Sequence, residues 1–306
     1  MITPRVCVVG SVNVDLLMTV DPRPVTPGYR LGSRFETLLG GKGLNTALSM
    51  AALAPDDVIF LGRVGDDMYG DFVRNRLSGL GYLRSQLVSA PGEHTGIGHV
   101  RATPDGEYDT TVLVGANAHC GPSDVASLLD TSDGPLRWVT NMETPLAWWP
   151  SVSARGRGDE LWVNLSPVTE DAHSVLPHAS VVVVNHIEAA ALVGVSDRVG
   201  GDELALELST RTPAVTVVTA GAEGAWLAEQ GQGLIHSPAH RTEVVSTVGA
   251  GDSFFAALAI ARGRGCDWHQ ALHVATTAGS VVAGSADNFL TPHTAGPVKA
   301  LVDNVV

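Results

Sequence analysis

In Ser246-Thr247-Val248-Gly249-Ala250-Gly251-Asp252-Ser253-Phe254, a β-rich run, a turn of small residues and an acid meet just ahead of a long Ala-rich stretch. Gly249, Ala250 and Gly251 carry little or no side chain, so a ligand can approach the backbone closely. The N–H groups of a starting helix point at whatever binds there, which makes the turn an anion site. Asp252 is the odd residue in that picture. A carboxylate beside a phosphate-binding turn repels the phosphate, unless its task is to take a proton from a hydroxyl attacking it. Aspartate also caps helix N-termini well, so these residues alone support a cap and a base equally.

Outward from this joint the same alternation recurs. Short β-branched runs alternate with Ala- and Leu-rich helical stretches, the pattern of a parallel sheet covered by helices on both faces. Buried strands are expected at Val6 to Val9, Val58 to Leu61, Trp138 to Asn141, Leu161 to Asn164, Val181 to Val184 and Val215 to Thr219. In open parallel sheets ligands bind outside the carboxyl ends of the strands, so Asn13, Glu143, Asn164, Asn185 and Thr219 are expected to share one crevice. Residues 12 to 38 and 93 to 114 carry β-type patterns without matching helices, including a Pro104-Asp105-Gly106 turn. They read as a small β lid over the carboxyl edge, or as a pair of ordinary surface hairpins. The chain is thus expected to be one α/β domain over residues 1–306, with the lid formed by these two insertions.

Composition narrows the partners. The 306 residues with 44% hydrophobic content are ample for a core, and a net charge of −13 argues against a nucleic-acid surface. An anionic ligand has to be held locally. Cys7, Cys120 and Cys266 lie far apart without Cys-x-x-Cys spacing, so they read as buried thiols in a reducing compartment. No uninterrupted apolar stretch reaches the roughly 20 residues that span a bilayer, and Arg5 to Gly10 reads as a first strand, not a secretory signal. A soluble, cytoplasmic protein without membrane partners is expected.

Several further motifs carry chemistry. Gly40-Gly41-Lys42-Gly43-Leu44-Asn45 precedes an expected helix Thr46 to Leu53, so glycines allow close backbone approach while Lys42 and Asn45 present a charge and an amide. It is not a Walker A loop, because Gly43 follows the lysine where Ser or Thr is required. Gly62 to Asp67 reads as a strand-to-helix turn whose acids start the helix. Asn185-His186-Ile187-Glu188 sits where a buried strand hands over to a helix, with Glu188 either reaching magnesium-bound water or completing a helix cap with Asn185. Thr219 to Gly224 closes a strand in glycine-rich turns, compatible with nucleotide contact or a plain hairpin.

Together and in this order, these segments resemble the ribokinase branch of the phosphofructokinase-B-like (PfkB) sugar kinases, over nearly the whole chain. Gly10-Ser11-Val12-Asn13-Val14-Asp15 looks like the family's first sugar-binding segment, and Gly40 to Asn45 matches its Gly-Gly-Lys-Gly-x-Asn signature. Gly115-Ala116-Asn117-Ala118 fits the turn after its lid strands, and Glu143 lies where the family places a further acid near the sugar. Asn185 to Glu188 matches its Asn-x-x-Glu motif, and Gly249 to Asp252 its anion hole and base. The resemblance implies a ribokinase-like three-layer fold and transfer of the γ-phosphoryl of ATP to a primary hydroxyl of a small sugar, D-ribose first. Asp252 would be the base and the Gly249, Ala250 and Gly251 amides the anion hole. Asn13, Asp15, Gly41, Lys42, Asn45 and Glu143 would hold the sugar. Asn185, Glu188, Thr219, Gly221, Gly224 and Thr276 would line the nucleotide, with Glu188 holding Mg2+ through water.

Three departures from the family pattern stand out. Ser246 replaces an aspartate of the family's monovalent-cation site, and Ala286-Asp287-Asn288-Phe289 differs in the loop that would supply carbonyls to it, which weakens the case for K+. Glu107-Tyr108-Asp109-Thr110 departs from the family's Glu-Asn in the lid. Deoxyribose, fructose and a nucleoside such as adenosine therefore stay open as acceptors, as does a non-catalytic sugar sensor. An exposed lid edge implies a homodimer in which lids pair, as in the family.

Overall fold

A computed structural model describes residues 6–21, 25–27, 29–102, 108–129 and 134–303. The chain runs through β1 (Val6–Val9), β2 (Asn13–Val20), β3 (Gly32–Gly40), β4 (Val58–Gly65), β5 (Arg84–Ala90), β6 (Gly96–Ala102) and β7 (Tyr108–Leu113). It continues through β8 (Arg137–Asn141), β9 (Glu160–Asn164), β10 (Val181–Asn185), β11 (Val215–Thr219), β12 (Ala225–Ala228) and β13 (Ile235–Ser237). Nine of these strands form one sheet in the order β13-β12-β11-β10-β9-β8-β1-β4-β5, parallel from β11 to β5 with an antiparallel hairpin at the far edge. The other four make a separate sheet, β3-β2-β6-β7.

Side chains that alternate along each central strand build two cores. Val6 and Val8 of β1, Val139 of β8 and Val181 and Val183 of β10 belong to one, with the helices Lys42–Leu53, Ala250–Gly263 and Trp268–Ala283. Cys7 and Val9, Trp138, and Val182 and Val184 belong to the other, with the helices His186–Val193 and Gly201–Ser209. Period-2 alternation of uniformly apolar strands is what a sheet covered on both faces requires, and it yields three layers. All three cysteines are buried, as expected.

Each expected strand is present, and the two β-patterned insertions supply the small sheet, whose β2 runs parallel to β6 and antiparallel to β3. The Pro104-Asp105-Gly106 turn and Glu107 lie outside the described residues. Other boundaries shift for physical reasons. The strand from Val58 runs on to Gly65 because β5 pairs with it, and β5 escaped the sequence reading because its Arg84, Ser85 and Gln86 are polar, as an edge strand tolerates. The helix expected from Thr46 starts at Lys42, so the glycine signature forms its first turn. Asp67 starts a helix as expected, accepting the Gly70 N–H at 2.8 Å, and it also binds the Thr95 N–H and hydroxyl, tying the end of β4 to the segment that enters the small sheet. No helix among the described residues is long and apolar enough to cross a membrane.

Candidate active site

Strand β1 is flanked by β4 on one side and β8 on the other, so the chain reverses its direction of winding there and leaves a crevice at the carboxyl ends of β1 and β8. Ser11 follows β1 and Glu143 follows β8. Ser11 Oγ donates to Glu143 Oε2 at 2.5 Å and accepts the Gly43 N–H at 3.1 Å, while the Lys42 N–H donates to the same carboxylate oxygen at 3.1 Å. Asn141 Oδ1 accepts the Glu143 N–H at 2.9 Å. A Cβ on Gly43 would lie 2.5 Å from Ser11 N, so only glycine lets the helix Lys42–Leu53 start against this turn.

The helix Ala250–Gly263 brings Asp252 to the same crevice. Its N-cap, Gly249, sits at φ 73°, a conformation that glycine adopts without penalty, and contributes no side-chain cap. Asp252 is 5% exposed and accepts from Asn45 Nδ2 at 3.3 Å, a bond across two helices in place of a cap on its own. Asn45 Oδ1 is buried with no hydrogen-bond partner, a cost that a hydroxyl donor entering the crevice would remove. Gly251 opens outward: a Cβ there would meet nothing within 4 Å. Of the turn's amides, Ala250 N–H already reaches the Thr247 carbonyl at 3.3 Å.

Four carboxylates, those of Asp15, Glu143, Asp252 and Glu188, stand around Lys42. Burial pushes Asp15 up to about 7, with Glu143 and Asp252 adding to the rise and Lys42 opposing it. Asp252 rises to about 6 through burial, against Lys42 and the Asn45 bond and reinforced by Glu143. Glu188 is also raised by burial, against its bond from Ser166 and the charge of Lys42. Lys42 therefore acts on both ends of the crevice.

The second end lies at β10 and β11, where Asn185 and Thr219 stand opposite each other in register. Asn185 caps the helix His186–Val193 by accepting the Glu188 N–H at 2.9 Å, and its Nδ2 donates back to Glu188 Oε2, so the capping reading of this motif holds. Ser166 Oγ donates to the other carboxylate oxygen at 2.9 Å. Both carboxylate oxygens of Glu188 are thus held by neutral donors. Gly221 and Gly224 shape the hairpin between β11 and β12, both at positive φ, and Gly221 faces open space. Thr276 stands behind them, bonded to Ser237, whose carbonyl lies against Gly224. It is 4% exposed, its hydroxyl shared with Ser237 Oγ at 3.0 Å and the His273 carbonyl at 3.0 Å. Ser246 turns its hydroxyl to the Val248 N–H at 3.2 Å.

Of the residues expected to share one crevice, Asn185 stands opposite Thr219 and Asn164 opposite Asn141 at the strand ends, and of those the resemblance assigns to sugar and base, Lys42 binds Glu143 through its N–H, Asn45 binds Asp252, Gly41 lies against Asn13 N and Asp15 feels the charges of Glu143, Asp252 and Lys42. The residues that hold Glu143 and Glu188, namely Ser11, Asn141 and Ser166, carried no such expectation. Ser11 stood inside a quoted motif, but no local signal ties Ser166 to Glu188, 22 positions later.

Residues 3–288 match the pfkB family carbohydrate kinase domain. The ribokinase of Bacillus subtilis (strain 168) is 30% identical over 280 residues, covering 90% of this chain and 92% of its own. A ribokinase structure from Thermotoga maritima superposes with a TM-score of 0.83 at 21% identity, covering 98% of this chain and 100% of its own. The Arabidopsis thaliana ribokinase complexed with ribose and ATP gives 0.80 at 24% identity, covering 98% of each chain. Deoxyribokinases and an adenosine kinase also stand among the relatives. With its crevice, its fold and these relatives in agreement, the chain belongs to the pfkB family of carbohydrate kinases and is a sugar kinase.

Proposed function

We propose that this kinase transfers the γ-phosphoryl of ATP to the primary hydroxyl of D-ribose, giving ribose 5-phosphate. The observation that carries this reading is Asp252: buried, held by Asn45, and set in the first turn of a helix whose uncapped end opens at Gly251. Asp252 takes the hydroxyl proton as the sugar oxygen bonds to the γ-phosphorus, and the bond to the bridging oxygen breaks to release ADP. The Gly249 and Gly251 amides and the helix terminus receive the charge on the transferred group, with Ala250 joining once its bond to Thr247 yields. When bound, magnesium would supply charge neutralisation on the nucleotide phosphates, and Glu188, steadied by Ser166 and Asn185, would hold it through water. Asn185, Thr219, Gly221 and Gly224 lie along the nucleotide. Thr276 backs this wall from inside the core.

Asn13, Asp15, Gly41, Lys42, Asn45 and Glu143 orient the sugar, because a polyol needs convergent donors and acceptors. This polar set favours a free pentose over a nucleoside, whose base wants an apolar slot. The small sheet acts as a lid that excludes water from the transfer. Ser246, engaged with its own loop, leaves the enzyme without a strong potassium ligand.

The test is ADP release by the purified protein with magnesium-ATP against pentoses, hexoses and nucleosides, each with potassium or sodium. Turnover is expected with ribose and equal in the two salts. A higher kcat/KM for deoxyribose, fructose or adenosine would reassign the substrate. Asp252→Asn is expected to cut kcat by about 10²–10⁴-fold with sugar binding retained, and activity near the parent's would refute its role as base.

We further propose that the protein is a homodimer joined through the small sheet. Its edge strand β3 and the segment before it expose Leu31 and Phe35, and the opposite edge exposes Val112 and Leu113. Unpaired edges carrying apolar side chains are unstable as free surface.

A further inference from the structure

Asn117 lies in the short turn Gly115–His119, only 2% exposed, and none of the roles above is its own. Its side-chain amide is nevertheless fully committed. Oδ1 accepts the Val12 N–H at 2.8 Å, while Nδ2 donates to the Val12 carbonyl at 3.1 Å and to Asn13 Oδ1 at 2.8 Å. A backbone N–H and carbonyl cannot exchange roles, so Val12 fixes which end of the Asn117 amide is oxygen and which is nitrogen. The hydrogen left over on Nδ2 then meets Asn13 and can be received only by an oxygen. Asn13 is locked in turn, with its carbonyl spent on Asn117 and its NH2 without a partner among the described residues. The pair packs directly over Gly96 of β6, where a Cβ would lie 2.1 Å from Asn13 Oδ1 and 2.4 Å from Asn117 Nδ2, so the glycine makes the space that the two amides fill.

Asn13 and Asp15 stand two apart on β2 and so share one face of the small sheet. Gly96 and Gly98 of β6 lie opposite them in register. A ligand hydroxyl at this face meets an N–H donor from one residue and a carboxyl from the other. If the Asn13 amide were reversed, it would meet two oxygens.

We propose that Asn117 is a positioning residue for the kinase reaction, which sets the polarity of Asn13 so that the sugar pocket presents an N–H donor beside Asp15. The proposal rests on the reading that Asn13 contacts the sugar. It identifies the matching feature of the substrate as a hydroxyl or ring oxygen that accepts at this point while a neighbouring hydroxyl donates to Asp15.

Asn117→Asp is nearly isosteric and replaces Nδ2 with an oxygen, which favours the reversed Asn13 amide. With D-ribose as probe, or the sugar that the substrate panel identifies, KM is expected to rise at least tenfold. KM for ATP is expected to stay within about twofold, since Asn117 sits at the sugar end of the crevice. Asn13→Ala and the double variant complete a cycle. If Asn117 acts through Asn13, Asn117→Asp adds less than twofold to the sugar KM once Asn13 is alanine. A merely structural role would instead give effects that multiply in the double variant, and that result overturns the proposal, as does an Asn117→Asp enzyme with the parent's sugar KM. An unchanged sugar KM in Asn13→Ala alone would refute the reading of Asn13 itself. Should Asn117→Asp fail to fold, as shown by a lost melting transition, Asn117→Ala frees the Asn13 amide to take both orientations and runs the same cycle with the same criteria.

Discussion

Asp15 and Asp252 show how far a side chain's neighbours redirect its chemistry. Both carboxyls are raised, to about 7 and about 6, with burial the largest cause in each. The folded protein therefore binds these protons more tightly than the unfolded chain does. Stability from the protonated groups is full below the ordinary value of 3.8 and is lost as pH rises through about 6 and 7. Asp15→Asn is accordingly expected to raise Tm more at pH 8 than at pH 5 in the sugar-free protein, measured by calorimetry in matched buffers. An equal shift at the two pH values would refute the assignment. Turnover has the opposite demand, because a base must be unprotonated, so kcat/KM is expected to fall as pH drops through about 6.

Within one turn of the helix Ala250–Gly263, two glycines serve opposite needs. Gly249 combines φ 73° with a Cβ direction blocked by the Asn288 carbonyl, so its small size is demanded by the protein's own backbone. Gly251 faces empty space, so its small size matters only if something else occupies that space. Gly249→Ala is expected to cost more than about 1 kcal/mol of stability, since left-handed backbone alone is that unfavourable for a residue with a Cβ. Gly251→Ala is expected to leave stability within about 0.5 kcal/mol, as a surface change does, while lowering kcat by crowding the transferred phosphoryl group. Urea melts and steady-state rates on the two variants separate these effects, and unimpaired turnover in Gly251→Ala would remove the anion hole from this turn.

Seen as a whole, the molecule is a covered parallel sheet with a second sheet whose outer edges carry Phe35 and Val112 in contact with solvent. If two copies pair through these edges, sedimentation at micromolar concentration gives twice the chain mass, and Phe35→Lys shifts the mass toward one chain. A single-chain mass for the parent protein would refute the pairing. The excess acidity of the chain does not oppose association there. Arg34 and Glu36 flank Phe35 and pair with each other at 2.7 Å, so β3 carries both signs of charge.

Strand positions and the glycine turns were legible in the residues because they are local: a run of valines buries itself on both faces, and a turn that needs positive φ selects glycine. The motifs around Lys42, Glu188 and Asp252 were legible for the same reason, each being a few consecutive residues with one geometry. Edge strands β5 and β13 were not, because a half-solvated strand needs no distinctive pattern. Nor did the sequence decide between cap and base at Asp252, or cap and metal contact at Glu188. Those choices turn on what lies across space: Asn45 is 207 positions from Asp252, and Asn117 is 104 from Asn13. A hydrogen bond's direction and a carboxyl's proton affinity depend on burial and on charges that only the packed chain brings within a few ångströms, so tertiary structure alone decided which groups in this crevice donate, which accept and which hold their protons tightly.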